Sequence, residues 1–544
     1  MSKKQKRSIE ELKADVGGFE AIWARVMQWA AQGWEAIPED ERDLLKWYGV
    51  FYRPPTPGYF MIRVRVPGGV LQGHCFTATQ WRTLADITRD YGRDVIDITT
   101  RQQVQLRWIR MEHVPEVLAR LQNVGLTTMQ TGHDNVRNVT TCPVAGLTDD
   151  EVFDTRPLVQ AITDAIVGNW RYADIPRKFN ITIIGCRDNC THAETNDIAF
   201  TPALQGRTYG FNVWVGGAMG SWGTQRAWPL DIFVEPSAEQ VVPVCLAILD
   251  IFRERGNRQK RKKARLKFVI DEMGIAAFRE EVIARLPFTP KTAGCELTHA
   301  HAQNDHIGLH RQKNGRYYVG LNVTTGRLTL DEAYAVANLA EQYGTGEIRL
   351  TPEQNIVIPH VEETNLPLLF ADPLTRTLSP NPLPFRRGLV ACTGNTYCPF
   401  ALIETKDRTR ELVEYLDAEL GEEVKHILGT FHIHASGCPN ACGRPHTGQI
   451  GLIGKKIRVN GEIVEGVDIY IGGEPGLFGA FNERWQKGVP CAEAGPLIAS
   501  LVREYMQTRF PGETFHVWCL RKGLISGANT HYAPMIHDLQ EATS

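Results

Sequence analysis

The sequence predicts an α+β protein that is internally duplicated and pseudo-two-fold. Two observations support this prediction. Strand-like alternation and helix-like periodicity occur in turn along the chain, and two long segments recur in the same order. At 544 residues, the chain also has room for several domain-sized cores.

The first recurring segment consists of a strand, a helix and a second strand. Residues 59–109 read YFMIRVRVPGGVL, then a helical stretch ending in DYG, then DVIDITTRQQVQLRWI. Residues 317–361 read YYVGLNVTTGRL, then a helical stretch ending in QYG, then EIRLTPEQNIVIPHV. Each segment has the pattern of half an α+β domain, so we expect the two halves to pair into one domain.

The second recurring segment carries cysteines. ITIIGCRDNCTHAETNDIAF from Ile181 resembles FHIHASGCPNACGRPHTGQIGLI from Phe431, and both have Cys-x3-Cys after a β-rich run. Further on, NVWVGGAMGSWG from Asn212 recurs as DIYIGGEPGLFG from Asp468, with glycine pairs that allow tight turns. The order of half-domain and cysteine block therefore occurs twice.

Composition and charge exclude several classes of function. The formal net charge of -2 provides no general attraction for a nucleic acid. No window of about 18 apolar residues occurs, and the start MSKKQKRSIEELKADVGG lacks the apolar core of a secretory signal. We therefore expect a cytoplasmic protein that binds neither nucleic acid nor membrane.

Four of the twelve cysteines form two pairs in the second half. Cys392 and Cys398 lie in ACTGNTYCPFALIET, and Cys438 and Cys442 lie in HASGCPNACGRPH. Four thiolates can hold an iron-sulfur cluster or a zinc ion. The five-residue gap in the first pair is wider than the gap common in zinc sites, which favours a cluster and leaves zinc open.

A helix is predicted between the two cysteine pairs. Residues 407–421 place Leu412, Leu416 and Leu420 on one face, and Gly421 is the expected end of the helix. This helix would connect the two thiolate loops.

The remaining cysteines are interpreted separately. Cys186 and Cys190, with Cys142 upstream, form a rival ligand set, which we interpret as a remnant of the duplication. The other five are isolated and are expected to be packing residues: Cys75, Cys245, Cys295, Cys491 and Cys519.

The pattern Cys-x5-Cys, a helix, then Gly-Cys-Pro-Asn-x-Cys-Gly, together with the duplication, resembles the sirohaem nitrite and sulfite reductase family over nearly the whole chain. The resemblance implies that Cys392, Cys398, Cys438 and Cys442 hold a [4Fe-4S] cluster, and that Cys442 also bridges to the sirohaem iron. It implies two half-domains that form one ferredoxin-like domain and two larger cofactor-binding α+β domains. The expected ranges are an N-terminal helical extension (1–50), half-domain 1 (51–125), a sirohaem and substrate domain (126–290), half-domain 2 (300–367) and a [4Fe-4S] and sirohaem domain (386–536).

An oxyanion substrate and a carboxylate-rich sirohaem both require cations. Strand alternation in FMIRVRVPGG places Arg63 and Arg65 on one face. The resemblance implies that Arg63, Arg137 in HDNVRN and Lys178 in PRKFN bind the anion. It also implies sirohaem contacts from the segment TTRQQVQLR, through Thr99, Arg101, Gln105 and Arg107.

The position two residues after Lys178 favours nitrite as the substrate. Sulfite reductases of this family generally have Lys-x-Lys, whereas ferredoxin-dependent nitrite reductases have Lys-x-Asn, and this chain has Asn180. Nitrite is a monoanion and sulfite is largely a dianion, so one cation fewer suits nitrite. Some sulfite reductases also have a tyrosine-cysteine cross-link, and this chain has Phe51 and Gly132 at those positions, so that cross-link cannot form.

The electron donor is expected to be a separate protein. The chain has no Gly-x-Gly-x-x-Gly fingerprint, no phosphate-binding loop and no appended flavin domain. The resemblance implies ferredoxin as the donor and a monomeric enzyme that reduces nitrite to ammonium. The basic run RQKRKKARLK at 258–267 could meet ferredoxin, bind sirohaem carboxylates or form a solvated helical face.

Three other functions stay open at this point. An assimilatory sulfite reductase would use the same cofactors on another oxyanion and release sulfide. A precorrin-modifying relative would share the framework. A protein of another class would bind zinc through its cysteines and act without catalysis.

Overall fold

The computed structural model describes residues 7–72, 77–299 and 304–528. The chain divides into two compact units. The first unit comprises the described residues of Met1–Ala218, Gln225–Thr298 and His306–Pro380. The second comprises those of Met219–Thr224, His299–Asp305 and Asn381–Ser544.

Helices and strands are both abundant in the described ranges, in agreement with the α+β prediction. The α-helices are α1 (Ile9–Val16), α2 (Phe19–Gln32), α3 (Thr79–Tyr91), α4 (Val114–Asn123), α5 (Arg156–Ile166), α6 (Ala238–Arg255), α7 (Leu266–Met273), α8 (Ile275–Ala284), α9 (Leu330–Tyr343), α10 (Leu366–Ala371), α11 (Leu374–Thr377), α12 (Pro384–Arg387), α13 (Lys406–Leu428), α14 (Cys491–Thr508) and α15 (Phe515–Arg521). None of the helices in these ranges is both long enough and apolar enough to span a bilayer.

The strands build four five-stranded sheets. They are β1 (Val50–Tyr52), β2 (Tyr59–Val64), β3 (Val70–Leu71), β4 (Ile96–Ile98), β5 (Val104–Arg110), β6 (Ile181–Ile183), β7 (Ile198–Gln205), β8 (Thr208–Val215), β9 (Trp228–Val234), β10 (Cys295–Glu296), β11 (Gly308–Arg311), β12 (Tyr317–Leu321), β13 (Arg327–Leu328), β14 (Ile348–Leu350), β15 (Ile356–Val361), β16 (Leu389–Ala391), β17 (Ile433–Ser436), β18 (Ile450–Val459), β19 (Glu462–Ile471) and β20 (Glu483–Pro490).

The two half-domains of the first unit exchange a short strand. One sheet has the order β1-β2-β5-β4-β13, and the other has the order β11-β12-β15-β14-β3. β13 from the second half pairs antiparallel with β4, where Arg327 lies opposite Asp97. β3 from the first half pairs antiparallel with β14, where Val70 lies opposite Arg349. Each sheet is therefore completed by the other half, and the predicted pairing of the halves is confirmed.

Two equivalent glutamines form hydrogen bonds from one half-domain to the other. The side-chain amide of Gln102 donates to the carbonyl oxygen of Leu350 at the end of β14 (2.9 Å). The side-chain amide of Gln354 donates to the carbonyl oxygen of Ile98 at the end of β4, also at 2.9 Å. Both glutamines are buried and adopt left-handed backbone conformations, with φ of 55° and 66°. The duplication is thus conserved in individual hydrogen bonds.

The sheets that carry the cysteine loops share the arrangement of four of their five strands. In the first unit, β6 runs parallel to β7, and β7, β8 and β9 are antiparallel neighbours. In the second unit, β17 runs parallel to β18, and β18, β19 and β20 are antiparallel neighbours. Each Cys-x3-Cys loop connects the parallel pair. Helix α6 buries Ile248 and Phe252 in the first of these cores, and α14 buries Ile498 and Val502 in the second.

The helix between the cysteine pairs is longer than the sequence predicts. Leu412, Leu416 and Leu420 are buried, as expected. However, α13 continues through Gly421 to Leu428, so Gly421 does not end the helix. A Cβ atom at Gly421 would lie 2.9 Å from a methyl carbon of Leu383, so this glycine allows close packing instead.

The isolated cysteines have different environments. Cys245 and Cys519 are buried, which agrees with a packing role, and Cys491 is half-buried. Cys295 is exposed, so the packing prediction is wrong for this residue. The prediction for Cys75 lies outside the described residues.

Candidate active site

The four cysteines of the second half lie in two adjacent loops of the second unit. Cys392 directly follows β16, and Cys398 lies in the loop that leads to α13. Cys438 and Cys442 lie in the loop between β17 and β18. Backbone hydrogen bonds join the loops: Cys392 N–H donates to the Ala435 carbonyl (3.0 Å), and Leu402 N–H donates to the Gly437 carbonyl (2.7 Å).

The sulfur atoms of these cysteines influence one another. Burial raises the pKa of Cys438 to about 12, and the charges of Cys442, Cys392 and Cys398 also act to raise it. Burial likewise raises the pKa of Cys392, with a further contribution from Cys442. Four thiolates in such a place require a compensating cation, and a metal centre provides one.

The spacing of the four sulfurs fits a cluster better than a single ion. No three of these sulfur atoms lie within 4.8 Å of one another. Tetrahedral zinc, with Zn–S bonds of about 2.3 Å, holds its sulfur ligands about 3.8 Å apart. A [4Fe-4S] cluster places each thiolate on a different iron, so its ligands lie farther apart. Cys442 is exposed, so its sulfur can also contact a group outside the loop.

Arg63 and Arg137 in the first unit meet at one carbonyl oxygen. Arg63 Nη1 donates to the Thr131 carbonyl at 3.1 Å, and Arg137 Nη1 donates to the same oxygen at 2.7 Å. Burial lowers the pKa of Arg137 to about 9, and the charge of Arg101 contributes to this shift. Arg137 Nε is buried and has no hydrogen-bond partner in the described chain. These crowded guanidinium groups fit a carboxylate-rich tetrapyrrole or an oxyanion.

Arg65 contacts the segment 129–137, which also contains Thr131, but it has a structural role. Its guanidinium is 1% exposed and donates to the carbonyl oxygens of Met129, Gln130, Val136 and Arg137 at 2.9–3.2 Å. Arg63 and Arg65 therefore point towards the same segment, as strand alternation predicts. Arg65 holds this segment in place.

Lys178 and Asn180 lie beside a buried carboxylate, Asp197. The backbone N–H of Asn180 donates to Asp197 Oδ2 at 2.8 Å. Burial raises the pKa of Asp197, whereas the charges of Arg265 and Lys178 oppose that rise. The side-chain oxygen of Asn180 is buried without a hydrogen-bond partner in the described chain. The Lys-x-Asn segment is therefore fixed by one interior acid.

The residues of the predicted sirohaem segment, 99–107, differ in how deeply they are buried. Arg107 is 1% exposed and donates to Asp97 Oδ2 at 2.5 and 2.8 Å and to Gln105 Oε1 at 2.6 Å. Gln105 also lies opposite Arg63 across the β2–β5 pairing. Thr99 accepts hydrogen bonds from the backbone of Arg101 and Gln103. Arg107 and Gln105 therefore stabilise the sheet, whereas Thr99 and Arg101 are half-buried.

Two arginines of the basic run at 258–267 bind buried carboxylates. Arg261 donates to both carboxylate oxygens of Asp134 at 2.6 and 2.7 Å. Arg265 binds Asp197 at 2.8 Å. Asp134 and Asp197 are fully buried, and sequence reasoning missed both. The arginines that pair with them lie far away in the sequence, so residue spacing alone could not identify these pairs. Lys260, Lys262 and Lys263 are exposed.

Phe51 and Gly132 are in direct proximity. A Cβ atom at Gly132 would lie 2.7 Å from Phe51 Cζ, and the Arg63 guanidinium lies 4.6 Å from the centre of the Phe51 ring. The two residues therefore face each other beside Arg63, which the family resemblance predicts to bind the anion, and neither of them carries a hydroxyl or thiol group.

Comparisons with known proteins agree with this architecture. The family described as "Nitrite and sulphite reductase 4Fe-4S domain" matches residues 132–289. The family described as "Nitrite/Sulfite reductase ferredoxin-like half domain" matches residues 52–124 and 310–375. The predicted ferredoxin-like half-domains are confirmed.

Similar proteins cover nearly the whole chain. The ferredoxin–nitrite reductase of Synechococcus elongatus is 45% identical, over 91% of this chain and 96% of that protein. The assimilatory ferredoxin-dependent nitrite reductase of Haloferax mediterranei is 37% identical, over 98% of this chain and 96% of that protein. The structure of the Mycobacterium tuberculosis NirA protein superimposes with a TM-score of 0.88 at 32% identity, over 97% and 98% of the two chains. This chain belongs to the nitrite and sulphite reductase family.

Proposed function

We propose that this chain reduces nitrite to ammonium with electrons from reduced ferredoxin, using sirohaem and a [4Fe-4S] cluster. The observation that supports nitrite most directly is the Lys178-x-Asn180 segment beside Asp197, in a unit that also gathers Arg63 and Arg137. The relatives from Synechococcus elongatus and Haloferax mediterranei are named as ferredoxin-dependent nitrite reductases, which supports this substrate and donor.

Cys392, Cys398, Cys438 and Cys442 would hold the cluster, and the resemblance implies that the exposed Cys442 would also serve the sirohaem. The family description that mentions a 4Fe-4S domain matches 132–289, which contains another set of cysteines, so the description does not choose between the sets. The sulfur spacing supports the second-half set, because these sulfurs are too far apart for one metal ion.

Bound sirohaem and cluster supply the redox-active irons for substrate binding and electron transfer. The chain supplies charge and protons. Arg63 and Arg137 offer guanidinium N–H donors to the nitrite oxygens, and they stabilise the negative charge that grows as the N–O bonds weaken. Their enclosure strengthens this interaction, because water competes less in a buried site.

Lys178 is proposed to donate protons to the oxygens that leave as water. Asp197 attracts the ammonium group and accepts the Asn180 backbone N–H, so it is a positioning residue for both. Conversion of nitrite to ammonium takes up six electrons and eight protons and releases two water molecules. A general acid at the leaving oxygens therefore contributes to several steps.

Asn180 is proposed to set the preference for nitrite. An amide at this position provides hydrogen bonds without a second positive charge beside Lys178. A lysine there would favour a dianion, because like charges at short range destabilise each other unless an anion separates them. We infer that the chain distinguishes nitrite from sulfite by this difference of one charge.

Three further parts complete the proposal. Ferredoxin is expected to approach the exposed lysines Lys260, Lys262 and Lys263, because an acidic partner is attracted to a basic surface. The enzyme is proposed to be monomeric. It is proposed to act in the cytoplasm.

Steady-state rates on both substrates test the proposal. Anaerobically purified holoenzyme with reduced ferredoxin should form ammonium from nitrite much faster than sulfide from sulfite, with the visible spectrum of sirohaem. Asn180→Lys should shift the ratio of the two kcat/KM values towards sulfite by about tenfold or more, since one added charge is worth at least about 1.4 kcal/mol in a partly buried site. A wild-type preference for sulfite would refute the substrate, and a colourless protein would refute the cofactors.

A further inference from the structure

A second group of cysteines is closely packed in the first unit. Cys190 Sγ lies 3.7 Å from Cys142 Sγ and 3.7 Å from Cys186 Sγ. All three sulfur atoms lie within 4.8 Å of one another, and none of the three residues is more than 5% exposed. This geometry differs from that of the four cysteines in the second unit, where no three sulfurs are so close.

A histidine contacts this group from a distant part of the sequence. His306 Nε2 lies 3.2 Å from Cys190 Sγ and 3.7 Å from Cys142 Sγ. Its other ring nitrogen, Nδ1, lies 3.3 Å from the hydroxyl of Tyr318. Metal-binding histidines commonly have such a partner on the second nitrogen, because it fixes the ring orientation and the tautomer. His306 is 3% exposed and has a left-handed backbone φ of 60°.

The loops around this group match the cluster loops of the second unit. Cys186 and Cys190 lie between β6 and β7, as Cys438 and Cys442 lie between β17 and β18. In each loop, the residue two positions after the second cysteine begins a 3₁₀ turn from a left-handed conformation: His192 in one and Arg444 in the other. The first-unit group is therefore the duplicated counterpart of the second-unit group.

The distances distinguish a single ion from a cluster. Sulfur separations of 3.7 Å agree with about 3.8 Å for thiolates on one tetrahedral zinc, whereas the thiolates of a cluster bind different irons. The Cys-x3-Cys spacing is also within the range of zinc sites. We propose that Cys142, Cys186, Cys190 and His306 bind one Zn²⁺ ion in addition to the iron cofactors.

The surroundings support a structural ion with no open position. Val144, Leu147, Tyr318 and Val357 pack around the cysteines, so water has little access. A Zn²⁺ ion bound by three thiolates and one neutral imidazole forms a site with a net charge of -1. Arg349, which is fully buried, donates to the carbonyl oxygens of Pro143 (3.1 Å) and Ala145 (2.6 Å), and its charge lies next to Cys142. The ion would join the Cys142 segment, the 186–190 loop and the turn at His306.

Metal analysis of the holoenzyme tests this proposal. Protein produced with zinc in the medium and purified without a metal-affinity tag should contain about one zinc per chain in addition to iron. Zinc X-ray absorption should show about three sulfur ligands at about 2.3 Å and one nitrogen at about 2.0 Å. Absence of zinc, iron in its place, or zinc bound mainly by nitrogen and oxygen would overturn the proposal.

A matched pair of variants separates this site from the cluster. Cys190→Ser should lower the zinc content by more than about tenfold and leave the iron content and visible spectrum unchanged. Cys245→Ser, which changes a buried cysteine on α6, should retain both metals. Loss of iron from Cys190→Ser would mean that this group holds the cluster, and would overturn the zinc site. If Cys190→Ser does not fold, the zinc X-ray absorption spectrum of the wild-type protein tests the proposal.

Discussion

Asp197 fixes the two residues that the proposal places nearest to the nitrite chemistry. It accepts the Asn180 backbone N–H and attracts Lys178, whereas Asp134 binds Arg261. Both acids are fully buried, so their charges require these partners. The cation pattern of this unit is therefore built around two interior carboxylates.

Replacing Lys178 by methionine tests its role in proton donation. We expect Lys178→Met to lower kcat for nitrite by on the order of a hundredfold, because the methionine side chain fills similar space without a proton to donate. The sirohaem and cluster absorption should stay as in the wild type. Lys291→Met, at an exposed position of the same unit, serves as the control and should retain the wild-type kcat. Unchanged turnover in Lys178→Met would eliminate the assigned role.

Sequence reasoning identified the side chains of the site better than their partners. The convergence of Arg63 and Arg137 on Thr131 agrees with their predicted shared role, although the roles themselves stay predictions. The sirohaem contact of Arg107 stays a prediction, and the structure pairs this arginine with Asp97 inside the sheet. Residue type and alternation predict the face of a strand, but they do not predict which buried acid lies next to an arginine. Asp134, Asp197 and His306 were missed for this reason.

Helix α13 contains a carboxyl group that should make stability depend on pH. Burial raises the pKa of Asp417 to about 6, and Arg386, 3.9 Å away, only partly opposes this. The raised pKa means that the folded state binds a proton that the unfolded state has already released. The stabilising effect of this proton is present below about pH 4 and is lost as the pH rises to about 6.

Asp417→Asn removes this ionisation. The variant should have a higher melting temperature than the wild type at pH 7, and the difference should vanish near pH 4, as measured by thermal unfolding of the holoenzyme. Asp407→Asn, at an exposed position in the first turn of the same helix, should show no such gain at pH 7. A gain for Asp417→Asn that is as large at pH 4 as at pH 7 would contradict the buried-carboxyl explanation.

The exchanged strands provide a second prediction at the scale of elements. Gln102 donates to the Leu350 carbonyl, and Gln354 donates to the Ile98 carbonyl. Replacing either glutamine by leucine leaves buried carbonyl oxygens without donors. We expect each variant to lose about 1–3 kcal/mol of unfolding free energy, measured by chemical denaturation. Gln160→Leu, at an exposed position on α5, should change it by less than about 0.5 kcal/mol. Equal effects at all three positions would show that the two glutamines have no special role.

Helices and strands could be predicted where the internal repeat and the hydrophobic periodicity agree. The strand–helix–strand half-domains and the buried leucines of α13 followed from periods that depend only on local geometry. The exchange of β3 and β13 could not be predicted, because a two-residue strand has no recognisable pattern. The end of α13 was predicted wrongly because Gly421 serves packing against Leu383, and a glycine in a sequence does not show which of its uses applies.

The duplication gives the whole molecule two cysteine sites with different geometry. All three first-unit sulfurs lie within 4.8 Å of one another, whereas no three of the second-unit sulfurs do. The sequence predicted both sets of cysteines, and we interpreted the first-half set as a remnant of the duplication. Spacing in the sequence did not reveal the difference, because Cys-x3-Cys occurs in both. The separation of the sulfurs depends on the third and fourth ligands, which come from other segments.

Electron delivery should depend on the exposed lysines of the basic run. Replacing Lys260, Lys262 and Lys263 together by glutamate should raise the KM for ferredoxin by about tenfold and weaken its dependence on salt. The rate with reduced methyl viologen should stay unchanged, because this small donor does not require the surface. An unchanged KM for ferredoxin would place the docking surface elsewhere.

Complete reduction of nitrite to ammonium with electrons from ferredoxin is the reaction proposed for this protein. Its most direct test is the stoichiometry of one anaerobic reaction, in which nitrite, ammonium and oxidised ferredoxin are counted together. We expect one ammonium for each nitrite consumed and six one-electron ferredoxins oxidised for each ammonium. One ferredoxin oxidised per nitrite, with release of nitric oxide and no ammonium, would contradict it.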